Sequence, residues 1–162
     1  MIAAQLAAER PAQPYPGLRP FEDHEWSIFF GRERMVDDVI DRLARDRLVV
    51  VHGASGSGKS SLVRAGVMPK LARQHVRHGA AWLTCAMRPS GGPLWNLATE
   101  FAKLEGRGDD LDRIGTIQGL FNRRGATLAL VAGALKGFSG KSLCVLIDQF
   151  EELFRYEKET SR

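Results

Sequence analysis

Cysteine is nearly absent from this chain of 162 residues: it has two thiols, Cys85 and Cys144, far apart in sequence. Two cysteines cannot build the disulfide framework of a small secreted scaffold. Each sits in an apolar stretch, so both read as buried, reduced thiols in a cytoplasmic protein. No apolar run approaches the roughly 18 residues that a membrane-spanning helix needs. The N-terminus, MIAAQLAAERPAQP, lacks the basic start and long apolar centre of a secretory signal. No membrane partner is expected. Histidine is scarce as well, and His24, His52, His75 and His78 stand at no metal-ligand spacing. No Ser-His-Asp or Cys-His arrangement suggests nucleophilic catalysis, and there is no internal repeat. Neither sign of charge dominates: 23 Lys and Arg against 19 Asp and Glu leave +4. That mild surplus suits a polyphosphate ligand, while its scatter along the chain argues against a dedicated nucleic-acid face.

What remains is a composition of 44% apolar and 26% charged residues, which supports one soluble, folded domain. Residues 1–14 read as a flexible leader and 15–162 as the domain. A proline-fixed segment, Tyr15-Pro16-Gly17-Leu18-Arg19-Pro20-Phe21, precedes a short helical turn between Glu22 and Phe30. Gly31-Arg32-Glu33 then opens an amphipathic helix, with Met35, Val36, Val39, Ile40 and Leu43 at helical spacing. Leu48-Val49-Val50-Val51 has the uninterrupted apolar character of a parallel strand buried on both faces. A helix is expected from Lys59 to Ala72, a second strand over residues 80–87, and helices over 93–103, 111–123 and 126–135. A third strand, Leu143 to Ile147, ends in Asp148, and residues 149–157 read as helical. Strands alternating with helices specify an α/β domain with a mainly parallel sheet.

The chemistry is concentrated in Gly53-Ala54-Ser55-Gly56-Ser57-Gly58-Lys59-Ser60, a full match to G-x-x-x-x-G-K-[ST], the Walker A pattern. Small residues let backbone N–H groups turn inward around a phosphate, and the following helix aims its positive end at the same anion. Lys59 can reach the β- and γ-phosphates, and the Ser60 hydroxyl can ligate Mg²⁺. A chance match in a chain of this length arises in roughly half a per cent of cases. Here the motif also follows a strand-like run and opens a helix. Gly140-Lys141-Ser142 repeats the last three letters, but Leu135 stands where the first glycine is required.

Asp148 closes an apolar strand, the place for the Walker B carboxylate that holds Mg²⁺. The ordinary alternative is a helix cap. Gln149 stands where many ATPases carry a glutamate, and the acids arrive later, as Glu151 and Glu152. Either could position the attacking water, with Glu152 ahead. The alternative is an acidic first turn that favours the helix dipole.

With these residues on the page, the chain resembles the STAND signalling ATPases, and most closely the bacterial novel STAND NTPases. The resemblance rests on Tyr15 to Phe21, Phe29-Phe30-Gly31-Arg32-Glu33, the phosphate loop with Ser61-Leu62-Val63-Arg64-Ala65-Gly66, and Leu146-Ile147-Asp148-Gln149-Phe150-Glu151-Glu152-Leu153-Phe154. It implies a three-layer P-loop fold of the AAA+ and NACHT-like kind, binding Mg-ATP or Mg-ADP. Ser61 joins the loop, Gly31, Arg32 and Glu33 lie on the adenine and ribose side, and the delayed acids follow a NACHT-like pattern. It further implies a nucleotide switch that self-associates and controls sensor or effector domains. The family's next strand and later arginines are not in the chain, so the resemblance implies the N-terminal portion of an NTPase domain, binding nucleotide with little or no turnover. Two rivals predict other partners: an initiator-like or transposition-helper ATPase would bind DNA, and a small P-loop kinase would carry an arginine lid.

Overall fold

The computed structural model describes residues 16–17, 19–73, 81–138 and 140–155. The expected leader, His75 and His78 lie outside them. The chain divides into two compact units, residues 1–74 and 75–162.

In the first unit a 3-10 helix, Asp23–Ile28, precedes α1, Glu33–Asp46. The helical spacing read from the sequence gives α1 its packing: Val36 and Ile40 are buried, while Asp37, Asp38, Asp41 and Arg42 face outward. The helix stops at Arg47, which adopts the left-handed conformation (φ 61°) and donates its N–H to the Leu43 carbonyl at 3.0 Å. Beyond the glycine-rich loop, α2 (Lys59–Ser61) continues through a π-helical turn (Leu62–Val67) into α3 (Met68–Arg73). The uniform helix expected here is therefore widened in its middle. Pro69 supplies the reason, because its ring crowds the carbonyl four residues back and it has no N–H to continue the α pattern. The i→i+5 turn gives that ring room, and the Met68 N–H bonds to the Val63 carbonyl.

Gly66 lies where this helix meets its neighbours. A Cβ at that position would stand 2.5 Å from Val36 Cγ2 and 3.3 Å from Phe29 Cε1. The glycine therefore sets how closely α1 and the segment before it approach the helix behind the loop.

The second unit contains β1 (Trp82–Met87), α4 (Pro93–Leu104), α5 (Leu111–Phe121), α6 (Leu128–Gly133) and β2 (Ser142–Ile147). The two strands pair in parallel, in register from Trp82 opposite Ser142 to Met87 opposite Ile147. The three helices form the long crossover that parallel pairing requires. Phe101 on α4 is wholly buried, with Phe121 and Phe138 tilted against it at 5.6 and 5.8 Å. Glu105, at the end of α4, accepts both branches of the Arg113 guanidinium at 2.7 Å and the Lys136 N–H at 2.9 Å. One carboxylate thus ties α4 to α5 and to the segment after α6.

Two expectations are corrected. Leu48–Val51 pairs with no strand among the described residues, and Leu48 and Val50 are 77% and 76% exposed, so burial on both faces does not hold. An apolar run identifies sheet-like side chains, but a strand forms only where another backbone lies alongside it. The sheet among the described residues is two-stranded. The helix expected over 149–157 begins later: residues 148–151 form a turn and 152–155 are helical.

Gly66→Val should lower stability by about 1–3 kcal/mol through overpacking against stiff Val36 and the Phe29 ring. Gly115→Ala on α5, where an added Cβ meets nothing within 4 Å, should raise stability by about 0.5–1 kcal/mol. Urea denaturation followed by circular dichroism measures both.

Candidate functional site

The loop that joins Leu48–Val51 to α2 is shaped by glycine. Gly53, Gly56 and Gly58 have φ of 152°, 75° and 84°, conformations that side-chain-bearing residues seldom adopt. The turn closes with the Ser57 N–H donating to the Ala54 carbonyl at 3.2 Å. The Lys59 ammonium folds back over the loop and donates to the Gly53 and Ala54 carbonyls, both at 2.8 Å. Arg32 adds a second cation: a Cβ built on Gly58 would lie 3.8 Å from its Nη2. The structure therefore brings Arg32 from the start of α1 to the phosphate loop. Its neighbours act locally, since Glu33 accepts the Gly31 N–H at 2.9 Å, and that bond is the largest cause holding its carboxyl below the usual range.

Behind the loop, the proline-fixed segment serves as a strap. The Phe21 N–H donates to Ser61 Oγ at 3.1 Å, and Arg64 pairs with Glu22 at 2.9 Å. Arg19 grips Glu25 with two bonds of 2.7 and 2.6 Å, and the Arg73 guanidinium lies 3.4 Å over the Trp26 ring. Lys70 pairs with Asp37 of α1. The Ser61 side chain is thus occupied in tying the strap to the first turn after the loop. The buried Glu25 carboxylate is held at a pKa of about 2, first by Arg19 and then by the Glu22 N–H.

The strand-end acids lie in the second unit. The Asp148 N–H donates to the Met87 carbonyl at 2.9 Å, which fixes it beside the end of β1, and its side chain is 10% exposed. Gln149 then takes the left-handed conformation at φ 57°, strained for a residue with a side chain. That turn leaves Glu151 exposed and draws Glu152 partly inward. Glu152 Oε2 is buried and has no hydrogen-bond partner among the described residues. An unpaired buried carboxylate oxygen is costly and marks a place for a water or another donor.

Sequence reasoning missed Arg88, whose Nη2 lies 3.8 Å from Asp148 Oδ2. The signal was available, because Arg88 and Asp148 each follow directly on an apolar strand. It also missed the partners Glu22, Glu25 and Arg64: Glu22 and Glu25 form a capping box that is local in sequence, whereas Arg64 lies 42 residues from Glu22. Both cysteines are free, and burial pushes the Cys85 thiol up to about 12 and Cys144 to about 11. They take no part in the site as thiolates.

The residues fit a phosphate ligand. The glycine conformations make a cradle that side chains would fill, and Lys59 sits on carbonyls that a phosphate oxygen can replace as its partner. No cluster of three or more His, Cys, Asp or Glu occurs among the described residues. Mg²⁺ does not require one, since it commonly takes one or two protein ligands and completes its shell with phosphate and water. No helix among the described residues is long and apolar enough to cross a membrane.

The family model described as Novel STAND NTPase 1 matches residues 14–162. Comparison with curated proteins and with solved structures gives no match.

The stability contributed by Glu25 is complete above its ordinary pKa of 4.5 and is lost as pH falls toward about 2. In urea titrations across that window, Glu25→Gln should begin less stable than the parent chain and change less on acidification. Ser61→Ala should cost about 0.5–1.5 kcal/mol through the lost acceptor for the Phe21 N–H.

Proposed function

The chain belongs to the novel STAND NTPase family, and we propose that it binds Mg-ATP and Mg-ADP as the regulatory NTPase module of a STAND-type signalling protein. The observation that carries this reading is the Lys59 ammonium held 2.8 Å from the Gly53 and Ala54 carbonyls, within a loop of glycines at positive φ. In this reading Lys59 turns from those carbonyls to the β- and γ-phosphates. The N–H groups of the 53–61 segment and the positive end of the helix hold the remaining charge. Arg32 supplies a further positive group at the loop, and Gly31 and Glu33 hold the start of α1 that carries it.

The Ser60 hydroxyl and the Asp148 carboxylate are the proposed Mg²⁺ ligands. The cation, when bound, neutralises charge developing on the phosphates. Glu152 positions the attacking water, for which its unpaired buried oxygen is the support. Glu151, exposed on the same turn, has no such support. In this reading the parallel pair of β1 and β2 belongs to the mainly parallel sheet of a three-layer P-loop fold. As a switch, the module holds ADP in a closed state, and exchange for ATP permits self-association and activates an attached effector.

Calorimetry with ATP and ADP in the presence of Mg²⁺ tests the binding claim. The chain should bind both, and Lys59→Ala should weaken binding by roughly 10–100-fold, the worth of about one hydrogen bond to a charged group. Absence of binding by a chain shown to be folded would exclude this function. Glu152→Gln should lower any ATP turnover by about 100-fold or more while retaining nucleotide binding. Phosphate release and calorimetry on the same preparation separate these effects.

A further inference from the structure

We infer that Arg88 is a resident counter-ion of Asp148 that competes with the divalent cation for its carboxylate and so sets the Mg²⁺ dependence of nucleotide binding. The inference rests on the proposed role of Asp148 as a cation ligand and adds a residue that neither the sequence motifs nor the family match assigns.

Met87 and Ile147 are opposite one another at the ends of β1 and β2, so Arg88 and Asp148 are the next positions on adjacent parallel strands. The bond from the Asp148 N–H to the Met87 carbonyl extends the pairing to this point. The turn that carries Arg88 is also held. Pro89 is fully buried, and the Asn96 side-chain amide, on α4, donates to the carbonyls of Arg88 and Ser90 at 2.8 and 2.7 Å. The backbone of both charged residues is thus fixed by the sheet and by α4, not by their mutual attraction.

The electrostatics follow. The Asp148 side chain is 10% exposed, and a carboxylate withdrawn that far from water is stabilised by hydrogen bonds and by nearby positive charge. Arg88 provides some of it. Its closest approach, 3.8 Å, makes an ion pair and exceeds hydrogen-bond length. With its side chain 47% exposed, the guanidinium has solvent to move into. Mg²⁺, when bound, would carry twice the charge of the guanidinium and would take the Asp148 carboxylate in its place. Whatever Arg88 contributes to the metal-free state is then subtracted from the cation's affinity, because the two bind the same group. Without metal, the same arginine lessens the repulsion between Asp148 and an incoming polyphosphate. Arg88 therefore makes binding less dependent on Mg²⁺ than it would be with Asp148 in its absence.

The test is ADP calorimetry on the whole chain across a Mg²⁺ series from EDTA to saturation, with Arg88→Gln, Arg88→Lys, Asp148→Asn and the Arg88→Gln/Asp148→Asn double variant. Arg88→Gln should lower the half-saturating Mg²⁺ concentration by roughly fivefold and weaken binding in EDTA. Arg88→Lys should stay near the parent, and Asp148→Asn should erase the effect of Arg88→Gln. An unmoved or raised Mg²⁺ midpoint in folded Arg88→Gln would overturn the proposal. Equal weakening at every Mg²⁺ concentration would also overturn it, by making Arg88 a phosphate ligand. A second measurement uses no nucleotide: in urea unfolding, Arg88→Gln should shift the midpoint of the parent chain but not that of Asp148→Asn. Additive shifts would refute the pairing. A parent chain that binds no ADP would refute the nucleotide reading instead, and the unfolding cycle would still decide whether Arg88 and Asp148 are coupled.

Discussion

Three glycines turned to positive φ make the loop at 53–58 a shape with little intrinsic rigidity. Glycine reaches such conformations at low steric cost but loses more chain entropy on being fixed there than any other residue. The loop therefore depends on what is anchored behind it. The helix that begins at Lys59 supplies that anchor, and the rest of the first unit is arranged around this helix. Phe21 bonds to its first turn at Ser61, Glu22 to Arg64, Trp26 stacks under Arg73, and α1 packs against Gly66. The segment from Arg19 to Phe29 thus acts as a strap around the helix, with the buried Glu25 gripped by Arg19 as its internal clasp. This gives a physical account of why a proline-fixed aromatic segment precedes the glycine-rich loop: proline restricts the strap before it docks, reducing the entropy lost on docking.

The second unit places its acids by a different device. The end of a parallel strand pair sets Asp148 beside Arg88, and one left-handed residue, Gln149, redirects the chain so that Glu152 rather than Glu151 turns inward. Strain of this kind costs on the order of 1–3 kcal/mol and persists only where the surroundings over-determine it. Here the β2 register fixes one side of the turn, and the bond from the Glu152 N–H to the Gln149 carbonyl, at 2.9 Å, fixes the other. The backbone donors, the lysine and a nearby arginine belong to the first unit, and the carboxylates to the second.

Much of this was legible in the residues. Helical spacing located α1, Pro93 marked the first turn of α4, and two apolar runs became β1 and β2. The less legible features depend either on partners remote in sequence or on local conformations that residue type does not announce. Leu48–Val51 has strand-like side chains yet lies unpaired among the described residues, because pairing requires a second backbone. The π-helical turn before Pro69 reflects a conflict between a proline and a helix that packing holds in place. The inward turn of Glu152 depends on the conformation of Gln149, which its residue type does not announce.

The sequence by itself determined the chemical character of the glycine-rich loop, since glycine, lysine and serine at that spacing carry their conformational freedom, charge and hydroxyl wherever the chain places them. It also determined the family, through separated motifs that the family match over residues 14–162 bears out. Only the tertiary structure decided that Arg32 reaches Gly58, that Ser61 secures the strap, and that Arg88 stands at Asp148. Those relations bring together residues up to 60 positions apart, as from Arg88 to Asp148. Sequence periodicity specifies which way a side chain faces along its own helix or strand, whereas strand register and helix packing decide what it meets.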